Sequence, residues 1–213
     1  MPNKQKTIFT DLIDQGLISS PVFCSDIKHN APGCYTFGEI PWWQYSGAIT
    51  YAPADPSEGY WIFSPLGFGV GGNSSIGLNS STTSLLRGVV DTGSTLIIIA
   101  DEIASTYWKQ VPSAVLDFAF FGGYIFDCNE KLPAFKLLVG ENGKATYTVT
   151  VPGEYMNYAP LGGGTCYGGI QPTFGQIPFN IFGDVFLKSC FVVFDRGTDD
   201  DPPRMGFANK GLY

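Results

Sequence analysis

The residues best suited to chemistry lie in one segment, Gly88-Val89-Val90-Asp91-Thr92-Gly93-Ser94-Thr95-Leu96-Ile97-Ile98-Ile99. It reads strand, turn, strand: an apolar pair leads in, a carboxylate sits at the turn, and a second apolar run leads out. Gly93 lets the main chain approach the carboxylate closely. Its amide and the Ser94 hydroxyl can then hold Asp91 ionised and fixed in a dry setting, while the Thr92 hydroxyl is left to point across to a facing element. A carboxylate held this way is prepared to take and return a proton, which is acid–base chemistry. Taken alone, Asp-Thr-Gly also suits an Asx-type turn between strands with no chemical role.

Other candidate groups are few. The chain has five cysteines and one histidine. Cys24 and Cys34 flank a hairpin centred near His29 and can pair across it, but the sequence does not fix the register. Cys190, beside an apolar strand, reads as a buried free thiol rather than a nucleophile, because no histidine lies near it and His29 reads as a turn residue. The same shortage of ligands argues against a metal site, and no cofactor is expected.

Two helices and a series of short strands must position these groups. Thr7 can cap a short helix that places Ile8, Phe9, Leu12 and Ile13 on one side and ends at Gly16. Asp101 is the expected N-cap of a second helix, in which Ile103, Tyr107, Trp108 and Val111 follow helical spacing and Pro112 stops the run. Strands are expected over 21–27, 34–37, 48–51, 60–63, 95–99, 124–126, 145–151 and 191–194, punctuated by Gly, Pro, Asn and Asp. A further apolar strand ends at Gly183 and turns into a short helix at Asp184-Val185-Phe186-Leu187. The polar run 71–84 reads as a surface loop carrying two N-glycosylation sequons, at Asn73 and Asn79.

Composition agrees with a mostly β chain. The 213 residues are 44% hydrophobic and 15% charged, with 17 Phe, 11 Tyr and 4 Trp, so there is ample apolar surface to bury and disorder is excluded as the main state. The 27 Gly and 15 Pro disfavour long helices and suit short strands joined by tight turns. No repeat or linker divides the chain, so residues 1–213 are expected to form one domain. A net charge of −7 without a basic cluster argues against nucleic acid as a partner. No stretch approaches the length of a membrane span, and the opening MPNKQKTIF lacks the apolar region of a secretory signal. The sequence pI of about 4.5 is compatible with function in acid.

Ordered motifs extend from Leu17 to Ala208. Residues 17–23 are followed by Gly38 and by Tyr45-Ser46-Gly47-Ala48-Ile49-Thr50-Tyr51, then Gly59-Tyr60-Trp61 and the Asp91 segment. Further on stand Tyr124-Ile125-Phe126-Asp127-Cys128, Leu132-Pro133, Cys166, Gly168-Gly169-Ile170-Gln171, residues 181–189 and Met205-Gly206-Phe207-Ala208. With these motifs the chain resembles the C-terminal lobe of the pepsin-like aspartic proteases, most closely the fungal penicillopepsin/aspergillopepsin group. The resemblance implies antiparallel sheets with an active-site psi loop. It makes Asp91 one of two catalytic aspartates, with Thr92 contacting the other lobe, Ser94 buttressing the carboxylate, and Gly93 and Thr95 beside a bound peptide. Ile181-Phe182-Gly183 is then the strand threaded through the active-site loop, with Asp184 structural. The resemblance also pairs Cys128 with Cys166. It implies a protein or peptide substrate cut between apolar residues in acid, inhibition by pepstatin-type compounds, and a secreted or vacuolar location.

The departures from that family are as informative. There is no second Asp-Thr-Gly or Asp-Ser-Gly in the 213 residues, and nothing resembles the flap hairpin that covers the cleft. These residues alone are therefore expected to be nearly inactive, needing an N-terminal lobe or a second copy that sets Asp91 against Asp91. A pepsin-like module that only binds is the alternative from another class, and the intact Asp91-Thr92-Gly93-Ser94 turn argues against it.

Overall fold

The structure is a computed structural model that describes residues 6–72, 76–77, 84–119 and 121–211. Both sequons, and most of the expected 71–84 loop, lie outside the described residues. As expected, the chain is mostly β with few short helices. A ten-stranded sheet forms the spine, and two four-stranded sheets complete the architecture.

Expectation and structure agree where the apolar pattern is strong. Strands form at Val22–Asp26, Cys34–Phe37, Ile97–Ile99, Gly123–Asp127, Lys144–Val151 and Phe191–Asp195. The first helix, Ile8–Asp14, is capped by Thr7, whose side chain accepts from the Thr10 amide at 3.1 Å. The second helix, Asp101–Trp108, corrects the sequence expectation: Ala100 is its N-cap and makes no side-chain capping bond. Asp101 is already helical, and its carboxylate is turned outward to accept from Thr173 Oγ1 at 3.1 Å and the Phe174 amide at 2.8 Å. It clamps a loop instead of capping the helix.

The core is aromatic. Trp108 is buried at the helix end, stacks on Tyr124 and Phe126, and donates from Nε1 to the Ile170 carbonyl at 2.8 Å. Gly168 lies against that ring, where a Cβ would approach Cζ2 to 2.1 Å, so only glycine lets helix and sheet come together here. Farther along the spine Phe23 stacks on Phe194 with centroids 4.3 Å apart.

Asp26 is fully buried at the end of the Val22–Asp26 strand, where Lys210 Nζ reaches it at 2.8 Å and Lys28 Nζ stands at 3.9 Å. A carboxylate so far from water needs such cations, since an unpaired buried charge costs several kcal/mol.

Cys128 and Cys166 are bonded, closing a sequence separation of 38 and tying Gly123–Asp127 to its neighbour Thr165–Gly168. By loop-closure entropy, replacing both with serine is expected to cost about 4 kcal/mol, read as a lower urea midpoint under non-reducing conditions. A loss below about 1 kcal/mol would show that the bridge does not constrain the unfolded chain. Cys24, Cys34 and Cys190 are free thiols. Register settles the question left open for the first two: Cys24 stands opposite Thr36 and Cys34 opposite Asp26, so the sulfurs are offset along the hairpin. Cys190 is buried as expected, and burial pushes its thiol up to about 12, leaving it protonated and inert.

Candidate active site

The Asp91 turn is built by threading. Gly88–Val90 enters it, Ile97–Ile99 leaves it, and Asn180–Phe182 passes between these two arms, parallel to the first and antiparallel to the second. The alternation of the strands then sorts their side chains. Ile97 and Ile99 are fully buried, whereas Ile98 and its cross-strand partner Ile181 face the other way and are half-buried.

Main-chain hydrogen bonds lock the turn to the threaded strand. The Asp91 amide donates to the Phe182 carbonyl at 3.1 Å, and the Gly183 amide to the Leu96 carbonyl at 3.1 Å. Just beyond, the amides of Asp184 and Val185 donate to the carbonyls of Ser94 and Thr95 at 2.8 and 2.9 Å. Gly183 makes this closeness possible, because a Cβ there would lie 2.4 Å from the Ser94 carbonyl oxygen and 2.6 Å from that of Leu96. Sequence reading assigned the threaded strand through resemblance; the Asn180-Ile181-Phe182-Gly183 pattern carries it as a short apolar run closed by glycine.

Within this frame the Asp91 carboxylate is gripped at both oxygens. The Gly93 amide donates to Oδ1 at 2.9 Å and Ser94 Oγ donates to Oδ2 at 2.6 Å. A Cβ on residue 93 would stand 3.2 Å from Oδ1, tighter than ordinary contact, which accounts for glycine at that position. The ion pairs found among the described residues do not involve Asp91.

The surroundings are less dry than the sequence suggested. Asp91 and Ser94 are half-buried, and Thr92, Gly93 and Thr95 are exposed. The turn ends the sheet on an open face, so Thr92 has room to meet another element but meets none within these residues. Asp91, Thr92, Gly93, Ser94 and Thr95 are thus adjacent at one site. Cys128 and Cys166 belong to the separate sheet described above, and no cluster of ligands suited to a metal ion is found among the described residues.

Sequence reading gave one further neighbour, Asp184, a structural role only. Asp184 opens the short helix Asp184–Leu187 directly beside the turn, and its Oδ1 is buried without accepting a hydrogen bond. Burial raises its carboxyl above the ordinary value; the Lys188 ammonium works against that shift and the Asp91 charge adds to it. The signal available in sequence was an acidic residue immediately after the glycine that closes the threaded strand.

Comparison with known proteins agrees with this geometry. Residues 2–210 match the family described as eukaryotic aspartyl protease. The chain belongs to that family. Among individual relatives, aspergillopepsin-1 of Aspergillus pseudoglaucus and that of Aspergillus oryzae are each 44% identical over 207 residues. Penicillopepsin-3 of Penicillium janthinellum is 41% identical over 209 residues. Each alignment takes in 97% of this chain and 48% of the relative, so the chain spans about half the length of the aspartyl proteases it matches. It is a pepsin-like partial lobe, as its mostly β architecture and its motifs imply.

Proposed function

We propose that this chain is one lobe of an aspartic endopeptidase that works in acid, in which Asp91 is one of two carboxylates that together activate water for attack on a peptide carbonyl. The observation that carries this reading is the doubly held Asp91 carboxylate beside exposed Thr92, Gly93 and Thr95, without an ion pair among the described residues. Two facing carboxylates cannot both ionise easily, so they share a proton; one acts as base toward the water while the other presents its proton to the carbonyl oxygen. Thr92 is the residue placed to reach the facing lobe, Ser94 and the Gly93 amide fix the base, and Gly93 and Thr95 lie where an extended peptide passes.

The sequence holds no second Asp-Thr-Gly or Asp-Ser-Gly, so the partner group comes from an N-terminal lobe or a second copy. The exposed margin supports the first. Cys34–Phe37 is the last strand of the long sheet, its outer edge is unpaired among the described residues, and Tyr35, Phe37, Ile8 and Leu17 are exposed around it. An open edge beside apolar surface is suited to pairing with further chain. The proposed setting is extracellular or vacuolar, consistent with a formed disulfide and with similarity to aspergillopepsins.

The test is to assay the 213-residue chain alone and after refolding with the N-terminal half of an aspergillopepsin, using a denatured protein at acid pH with and without pepstatin. The expected result is no cleavage by the chain alone and pepstatin-sensitive cleavage by the pair. Cleavage that grows with the square of the concentration of the lone chain would favour the Asp91-to-Asp91 dimer. Inactivity of a well-formed pair would leave a binding module.

A further inference from the structure

We propose that the Phe118–Ala119 bond is a nicking site, at which a pepsin-like endopeptidase, including the one this chain would help to form, cuts the folded chain once and leaves it assembled. Self-cleavage rests on the peptidase reading and its preference for bonds between apolar residues; the site itself rests on accessibility. Val115-Leu116-Asp117-Phe118-Ala119-Phe120-Phe121 runs seven residues without Gly or Pro, in a chain that has 27 Gly and 15 Pro. Such a run can lie extended in a cleft with every main-chain N–H available, and it sets apolar residues on both sides of the bond. Phe118 is 69% exposed, and none of the described residues from Pro112 to Gly122 is buried.

The segment lies on the outside of its sheet. Val115–Asp117 pairs with Gly123–Asp127 through three residue pairs, and its other edge meets no strand among the described residues. In the turn, the Ala119 amide donates to Asp117 Oδ1 at 2.8 Å, and the Phe118 ring tilts against Phe174 with centroids 5.3 Å apart. The ends are fixed more firmly. Ser113 is bonded to Glu130 and Asp127, and the Tyr124 amide donates to Gln171 Oε1 at 2.6 Å. Peeling back the stretch between them uncovers no core, so opening there is local and frees an extended run that a cleft can take. Other exposed apolar bonds lack this combination. Ile8 and Leu85 precede the buried Phe9 and Leu86. Trp42–Trp43 and Tyr158–Ala159 stand beside Pro41 and Pro160, each of which removes an N–H that an extended substrate would donate. Leu17–Ile18 is tied on both sides, by the Leu17 amide to the Leu12 carbonyl at 2.9 Å and by Ser19 Oγ to the Gly38 carbonyl at 2.8 Å. In the cut itself the hydroxyl of water joins the Phe118 carbonyl carbon, the bond to the Ala119 nitrogen breaks, and that nitrogen takes the remaining proton of the water. The two pieces stay together because the long sheet interleaves them: Gly88–Val90 and Ile97–Ile99 of the first pair with Asn180–Phe182 of the second, and Val22–Asp26 with Phe191–Asp195.

The experiment incubates the native 213-residue chain with a trace of aspergillopepsin-1 in acid and reads the products by intact mass. The expected first products end at Phe118 and begin at Ala119, elute together in size exclusion and separate in denaturant. Phe118→Asp, at an exposed position, is expected to slow that cut roughly tenfold or more with little change in the urea midpoint, because an apolar subsite rejects a charge. A first cut at any of the other bonds named above, an unchanged rate in Phe118→Asp, or no cut short of global unfolding overturns the proposal. In the refolded pair the same bond is expected to be cut without added enzyme, and Asp91→Asn abolishes that cut. A pair that digests denatured protein but spares its own Phe118–Ala119 bond overturns self-cleavage. An inactive pair counts against the peptidase reading alone, with the added enzyme still deciding the site.

Discussion

Refolded with a complementary lobe, the Asp91→Asn chain is expected to cleave a denatured protein in acid roughly 10⁴-fold more slowly than the wild-type pair. Asparagine keeps the shape of aspartate and can still lie between the Gly93 amide and Ser94 Oγ. It cannot accept the proton of the attacking water, nor share one with a facing carboxylate, and groups that act as a unit lose nearly everything when one is removed. Ser94→Ala separates positioning from chemistry. It deletes one charge-assisted hydrogen bond to Oδ2, worth about 1.5–3 kcal/mol, and leaves the base in place, so a loss of roughly 10–100-fold is expected. Unfolding midpoints measured beside the rates show whether either change acts through the fold. A fully active Asp91→Asn pair would remove the carboxylate from the mechanism altogether.

Gly183→Ala is expected to destabilise the chain by about 3 kcal/mol in urea unfolding. The new methyl would stand 2.4 Å from the Ser94 carbonyl oxygen and 2.6 Å from that of Leu96, and both are main-chain atoms rather than the yielding end of a side chain. Relief requires the threaded strand to move away from the turn, opening the bonds from the Gly183 and Asp184 amides. The same movement displaces Ser94, so activity of the refolded pair should fall together with stability. Gly72→Ala is the matched control, since a Cβ there meets nothing within 4 Å, and a change within about 0.5 kcal/mol is expected. Equal effects at the two glycines would mean that chain entropy, not close approach, governs position 183.

Much of the candidate site was legible because its chemistry is contiguous: Asp91, Gly93 and Ser94 hold one another within four residues, and flanking apolar runs announce the strands. Asp184 was not legible in the same way. Its acidity is visible in the sequence, but its buried oxygen depends on how the Asn180–Phe182 strand just before it threads the distant Asp91 turn. The Asp101 cap failed for a related reason: its carboxylate found better donors at Thr173 and Phe174 than the first turn of its own helix offered. Several strands escaped notice through weak local signals. Gly67–Val70 is half glycine, and Asn157–Gly162 contains Pro160 and two breaks in register. Both are strands because neighbouring strands complete their hydrogen bonding, which pattern and propensity do not report.

The ion pair between Asp26 and Lys210 has a bearing on how the polypeptide comes into being. Synthesis proceeds from the amino end, so the acidic partner emerges long before Lys210, which lies 184 positions further on. Until position 210 leaves the ribosome, Asp26 lacks the nearer of its two cations, and the Phe191–Asp195 and Arg204–Lys210 strands do not yet exist to cover its segment. Closure of the long sheet is therefore a late, non-local event, and the nascent protein must keep its early aromatic segments from sticking elsewhere until the final strand arrives.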